Sequence, residues 1–537
     1  MQRNLTRTLG ILSLAAGLSG LSSSCTKDLN QVPTYSATSN VVYSDPAQIL
    51  QVLARLYATF AVSGQQGPAG NPDISGIDEG FSNYLRQYWQ IQEVTTDEAV
   101  IGWNDGNLPS LNTLQWNADN EFVRATYDRV FYEISLCNEF IRQTSDANLS
   151  SRGITGATAN TVRTYRSEAR LLRALCYWHA IDLFGGGPFA TEADAIGTTP
   201  QYKKGADMFT YVESELKALD GLDTSSGALL DPRAVYARAD KGVLWTLLTK
   251  LYLNAKTYTG ADRSTDAITY ANKVLGAGYS LSPSYANLFL ADNNTSTARN
   301  EIIFPITFDG TRTQTYGGMT YLVHAPTGRA ITASSVGIDG GWSGLRTKPS
   351  ITALFGSTTT NNPTDVRSQM FVFKGQNPNV DTLGQFTSGV LISKYRNVTS
   401  TGTPGSNLTF PDTDFPMFRL ADVMLMYAEA VLRGGTGGSA TQALAYVNAI
   451  RARAGAAPTT TGAFTLNSIL DERARELFWE GHRRTDLIRF GVYTTGYNWA
   501  YKGGVKAGKD VESFRSLFPI PNTDRVANSN LPQNPGY

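Results

Sequence analysis

Cysteine is nearly absent from this chain: three in 537 residues, at positions 25, 137 and 176. Histidine is as scarce, also three, and there is no excess of either charge, since 46 Lys and Arg balance 46 Asp and Glu. Each shortage excludes something. Three cysteines cannot build a disulfide framework. His179, His324 and His482 are far apart and none belongs to a His-Glu-x-x-His pair, so zinc chemistry of that kind is excluded and no metal is expected. A neutral chain has no electrostatic footprint for nucleic acid. No apolar run reaches the roughly 20 residues that a bilayer-spanning helix needs.

Other signatures are missing too. No Gly-x-Ser-x-Gly elbow occurs. Gly185-Gly186-Gly187 follows a helical pattern, whereas a dinucleotide loop must follow a strand. Gly503 to Lys509 nearly spells a phosphate loop, but Asp510 stands where a Ser or Thr hydroxyl would hold magnesium. What is abundant is glycine, 50 residues, and aromatic side chains, with 26 Tyr, 23 Phe and 8 Trp. The glycines imply many loops.

The N-terminus carries compartment information. Arg3 and Arg7 precede an apolar stretch, Leu9 to Leu21, and small residues then lead into Cys25. That is the form of a bacterial lipoprotein signal, with residues 1–24 removed and Cys25 lipidated; acyl chains anchor by about 0.8 kcal/mol per buried methylene. An ordinary secretory signal is the alternative, because Ser22 stands where the commonest lipobox has Leu. Residues 25–45 read as an extended tether and 46–537 as one domain.

Within that domain the periodicity predicts helices at 46–62, 119–144, 160–184, 206–220, 238–257 and 263–276, then at 419–434, 439–454 and 466–490. Small Ala267 and Ala271 would let the pair 238–257 and 263–276 approach closely. Helical hairpins of this kind give a mostly α fold with tetratricopeptide-like pairs. Residues 63–118 and 280–415 read as loop-rich, the second with short β-like runs at Ile302–Ile306, Met370–Phe373 and Val390–Ile392. Cys137 and Cys176 fall in apolar helical patterns, as buried thiols or as a pair.

Several segments are too specific to be generic. Arg419-Leu-Ala-Asp-Val-Met-Leu-Met-Tyr-Ala-Glu-Ala430 precedes Ala449-Ile-Arg-Ala-Arg-Ala-Gly455. Asp471-Glu-Arg-Ala-Arg-Glu-Leu-Phe-Trp-Glu-Gly-His-Arg-Arg-Thr-Asp-Leu-Ile-Arg-Phe490 follows, and the chain closes with Phe518-Pro-Ile-Pro521 and Asn530-Leu-Pro-Gln-Asn-Pro-Gly-Tyr537. With Glu93-Val-Thr-Thr-Asp-Glu98 and Ser393-Lys-Tyr395, they resemble the SusD/RagB family of Bacteroidetes outer-membrane lipoproteins over essentially the whole mature chain. The resemblance implies a SusD-like α-α superhelix, glycan capture at the cell surface without catalysis, and a SusC-like TonB-dependent transporter as partner. Capture of another nutrient, such as peptides, is the alternative within the family; a surface glycoside hydrolase is the alternative outside it.

The charged residues of 471–484 could brace a helix through the pairs Asp471–Arg475 and Glu480–Arg484, or tie it to its neighbours. Carboxylates for a glycosidase would have to come from Asp97, Glu98, Asp105, Asp412 and Asp414, and spacing alone cannot pair them across a sugar. Calcium could sit near Asp292 or Asp412-Thr413-Asp414, on oxygen-rich segments too common to count. Sugars offer C–H faces to aromatic rings and hydroxyls to polar edges. Tyr84, Tyr88, Trp89, Trp103, Asn104 and Asp105, beside Phe81, Asn83 and Arg86, supply that mixture in the first loop region; Tyr316, Tyr321, Trp342 and Arg346 supply it in the second. Each aromatic could instead anchor its loop. Trp178 and Trp245 read as core.

Overall fold

The computed structural model describes residues 39–65, 67–68 and 72–537. The signal segment 1–24, Cys25 and the tether up to residue 38 lie outside them. The helix Pro46–Ala61 starts where the Asp45 carboxylate accepts the Ala47 N–H at 2.9 Å, with Pro46 in the first turn, where its missing N–H costs nothing. Ahead of it Ser39–Val42 forms one helical turn, and Tyr43 is buried against Phe140. The packed chain therefore begins before residue 46.

The expected scaffold forms. Helices Glu121–Gln143, Gly156–Phe184, Gly205–Asp220, Lys241–Leu253, Ser264–Leu275, Leu420–Leu432 and Ala440–Arg453 each pack on the next. Local chemistry sets their ends. The Asn120 side chain accepts the N–H groups of Phe122 and Val123, both at 3.0 Å, and Gly185 closes the longest helix at φ +67°. Ala267 and Ala271 are fully buried, so the helices at 241–253 and 264–275 pack closely. One hydrophobic cluster runs from Tyr43 to Leu531. Cys137 and Cys176 are buried free thiols within it.

Over this scaffold lies the irregular region. Among the described residues its strands are short antiparallel pairs: Ile302–Ile306 with Phe415–Arg419, Phe371–Val372 with Leu391–Ile392, and Val100–Ile101 with Leu345–Arg346. Loops with this much backbone need side chains to satisfy it. Asn397, for example, donates to the Gly337 and Asn407 carbonyls, both at 2.8 Å.

Two expectations are corrected. Residues 63–118 are not all loop: Tyr84–Glu93 is a helix, capped by the Asn83 side chain on the Arg86 N–H at 3.0 Å, and every one of its residues is buried. Its glutamines hid it, because they face partners and not water. Gln92, for instance, donates to Asp182 at 3.1 Å and to Thr485 at 3.0 Å.

The second correction concerns 466–490, which is two helices, Leu466–Glu476 and Arg483–Arg489. Trp479 at φ +62° and Gly481 at φ +79° break the run between them. The freed N–H groups go to carboxylates from the loop region. Glu98 accepts the Trp479 N–H at 2.7 Å, and Glu93 accepts those of Gly481 and His482 at 2.6 and 3.1 Å. Burial raises both carboxyls, Glu93 to about 7, and the Glu93 charge pushes Glu98 up further.

The pairs expected along that helix give way to ties between elements. Glu480 pairs with Lys394 at 2.7 Å and Arg419 at 2.5 Å, and Arg475 turns to Glu472 at 2.8 Å. Glu476 sits among Arg367, Arg419 and Arg453, with burial opposing ionisation and the three guanidiniums holding it down at about 2.

Candidate ligand site

The ten expected site residues divide by burial. Tyr84, Tyr88 and Trp89, on the buried helix 84–93, are core. The Tyr84 hydroxyl is hydrogen-bonded to His179 Nδ1 at 2.6 Å. Tyr88 stacks on the same imidazole at 4.5 Å, and the Trp89 indole donates to the Trp479 carbonyl at 2.9 Å. Arg346 is fully buried and fully used, donating to the carbonyls of Ser388, Gly344 and Leu383 at 2.9, 3.1 and 2.6 Å. Burial lowers its pKa to about 10. Tyr321 is buried as well. These five are buried: Tyr84 and Tyr88 pack into the scaffold at His179, while Trp89, Tyr321 and Arg346 lie beneath the surface loops.

Trp103, Trp342, Tyr316, Asn104 and Asp105 remain at the surface. The strand pair sets Val100 opposite Arg346 and Ile101 opposite Leu345, and the Gly102 N–H continues it to the Gly344 carbonyl at 2.9 Å. Trp103 follows Gly102 directly and Trp342 stands two residues before Gly344, so the pairing brings two half-buried indoles together across 239 positions of sequence. The Trp103 indole Nε1–H donates to the Trp342 backbone carbonyl at 3.3 Å, and the rings lie 6.3 Å apart at 47°. Gly344 is required there, because a Cβ would fall against the Trp103 indole.

The floor holds the rings in place. Trp103 meets Tyr321 edge-on at 6.0 Å, and the Arg86 guanidinium lies 4.3 Å over Tyr321 and 6.0 Å from Trp103. Trp342 stacks on His324 at 4.9 Å and 30°. His324 Nδ1 and Nε2 lie 2.6 and 2.9 Å from the carbonyls of Gly340 and Thr409, tying two loops beneath the indole. Arg86 was expected only as part of the polar mixture of the first loop region, and His324 was not expected at the site at all. No spacing signal pointed to either, since each acts through an aromatic partner distant in sequence.

Around the rings Asn104, Asp105 and Ser343 are exposed. Tyr316, 38% exposed, packs on Phe410 at 5.7 Å and neighbours Gly80. The result is a two-indole platform with polar edges.

Acid–base pairs do not converge on it. Asp97 is buried in a two-bond pair with Arg483, both bonds at 2.8 Å, and Glu98 is engaged at Trp479. Asp414 is buried and accepts the Phe308 N–H and the Tyr236 hydroxyl, both at 2.9 Å. Asp412 accepts the Gly310 N–H at 2.7 Å. Of the five carboxylates only Asp105 is exposed. Asp292, the other calcium candidate, accepts the Ser400 N–H and hydroxyl at 2.9 and 2.6 Å. Among the described residues no group of three or more His, Cys, Asp or Glu could hold a metal ion.

The helical-pair scaffold thus carries a loop-built aromatic platform with polar edges. Comparison with known proteins gives the family. The SusD family profile matches residues 243–537. The starch-binding protein SusD of Bacteroides thetaiotaomicron is 34% identical over all of both chains. SusD-like protein P2 of Formosa agariphila is 24% identical over 82% of this chain and 86% of its own. The chain belongs to the SusD family.

Solved structures share the fold. A SusD superfamily protein from Parabacteroides distasonis superposes with a TM-score of 0.69 at 20% identity, covering 94% of this chain and 100% of its own. Surface glycan-binding protein A from Bacteroides thetaiotaomicron, solved with laminarihexaose, gives 0.66 at 16% identity, covering 91% and 99%.

Proposed function

We propose that this chain is a cell-surface lipoprotein, anchored in the outer membrane through Cys25, that captures a glycan on the Trp103–Trp342 platform. It hands the glycan uncleaved to a SusC-like TonB-dependent transporter. The observation that carries this reading is the platform itself: two half-exposed indoles, fixed by Arg86 and His324, beside the exposed polar groups of Asn104, Asp105 and Ser343. Ring faces take sugar C–H faces, and the polar edge takes hydroxyls. The starch-binding and laminarihexaose-bound relatives support a glycan ligand. No described helix is long and apolar enough to cross a membrane, which accords with a lipid anchor.

The test is titration of soluble protein with maltoheptaose and laminarihexaose. Each exposed ring contributes on the order of 0.5–1.5 kcal/mol beyond its buried area. Trp103→Ala with Trp342→Ala is therefore expected to weaken binding by at least about tenfold with an unchanged circular dichroism spectrum. Unchanged affinity removes the platform as the site. Release of reducing ends during the incubation would make the protein a hydrolase.

A further inference from the structure

Beneath Trp342 lies a titratable ring with two acceptors against it. His324 closes the short helix Gly318–His324 and is 1% exposed. Its Nδ1 lies 2.6 Å from the Gly340 carbonyl and its Nε2 lies 2.9 Å from the Thr409 carbonyl. A neutral imidazole carries one N–H, so it serves one carbonyl and turns a lone pair on the other. Only the imidazolium donates to both.

The two carbonyls belong to opposite sides of the site. Gly340 stands two residues before Trp342, whose backbone N–H is itself held by the His324 carbonyl at 2.8 Å. Thr409 precedes Phe410, on which Tyr316 packs at 5.7 Å. Double donation therefore clamps the Trp342 segment and the Tyr316 edge to one ring. The same ring stacks on the Trp342 indole at 4.9 Å and 30°, and an aromatic face attracts a cation.

The surroundings decide when the ring is charged. Burial opposes the imidazolium, whereas the two carbonyls and the Asp339 carboxylate favour it; burial prevails, and the pKa lies below its ordinary value of 6.5. Asp339, which accepts the Thr409 hydroxyl, is the one charged group acting on His324 from the segments around it. Tyr321, on the same helix, stays neutral because burial raises it. At neutral pH His324 is thus uncharged, and one carbonyl lacks its donor. His179 and His482 are held down at about 3 by burial, so of the three histidines only His324 changes charge in the mildly acid range.

We propose that His324 is a proton-controlled clamp on the platform: its imidazolium ties the Gly340 and Thr409 loops together, and glycan binds that state more tightly. The inference rests on the platform being the glycan site. A glycan that spans both indoles and the Tyr316 edge needs them fixed relative to one another, and the clamp removes that ordering cost from binding. The bound protein then holds the His324 proton more tightly than the free protein. Affinity is highest below the His324 pKa, falls as pH rises through it and is level above it.

Calorimetric titration with maltoheptaose and laminarihexaose, both neutral, between about pH 5 and about pH 8 tests this. One hydrogen bond gained corresponds to a change of about threefold to tenfold, expected as tighter wild-type binding at the acid end. Binding there should take up protons, read as an enthalpy that varies with the ionisation enthalpy of the buffer. His324→Gln cannot carry the charge; its affinity should be flat across the range and no higher than that of the wild type at about pH 8. Asp105→Asn, which lacks the exposed carboxylate at the platform edge, should keep the wild-type slope. Histidine NMR signals of the wild type give a readout that needs no variant: one ring titrates in this range, and bound glycan moves its midpoint upward. Level affinity with binding intact, a slope that survives in His324→Gln, or a midpoint that glycan leaves in place overturns the clamp and leaves the platform standing. Silence with both sugars at every pH, or affinity unchanged by Trp103→Ala with Trp342→Ala, overturns the platform and the clamp with it.

Discussion

A carboxyl buried with too few partners holds its proton more tightly, and Glu133 is such a group. One oxygen accepts the Cys137 thiol at 3.3 Å, the other has no partner, and burial raises the pKa to about 8. The unfolded chain releases that proton near the ordinary value of about 4.3. Between these limits the folded state binds more protons than the unfolded one. Stability from this group is complete at acid pH and is lost as pH rises toward 8, by up to about 1.4 kcal/mol per unit. Glu133→Gln has no proton to lose. Calorimetric melting should therefore show the variant gaining on the wild type at about pH 8 while the two lie close together in acid. Melting curves that stay parallel across that range would assign the pH dependence elsewhere. Single residues also mark how far the sequence could be interpreted. It named the surviving platform residues, Trp103 and Trp342, yet gave Tyr84 and Trp89 the same standing, because a ring's chemistry is the same in the core and at the surface.

Elements decide which of the two a ring becomes. The helix 84–93 turns its aromatics inward, whereas the two-residue pairing of 100–101 with 345–346 holds Trp103 and Trp342 at an edge. Gly344 is the hinge of that arrangement. A methyl group there meets the Trp103 indole and must push it off its neighbour. Gly344→Ala is expected to weaken glycan binding at least as much as Trp103→Ala, with a near-UV circular dichroism change and little loss of melting temperature. Wild-type affinity in that variant would mean that the ring pair need not be held as it is. The amphipathic helices were legible because their apolar stripes repeat every three to four residues. The break at 477–482 was not. The N–H groups it frees are taken by a pair of carboxylates, Glu93 and Glu98, that arrive from nearly 400 positions away.

At the scale of the molecule, the proposed anchor and the platform serve one purpose. A protein tethered beside its transporter meets it at an effective concentration set by the tether, in the millimolar range for short flexible linkers. Cys25→Ala protein should bind glycan in solution with wild-type affinity but fail to support growth on that glycan. Growth at the wild-type rate would show that the tether is dispensable.

By itself the sequence determined the helical-pair scaffold, the family and the aromatic character of the two loop-rich regions. Those rest on local periodicity and on contiguous motifs such as Asp471 to Phe490. Tertiary structure alone decided which aromatics face solvent, which carboxylates are engaged, and that Arg86 and His324 fix the platform. These depend on burial and on partners hundreds of residues apart, which only the folded backbone brings within contact distance.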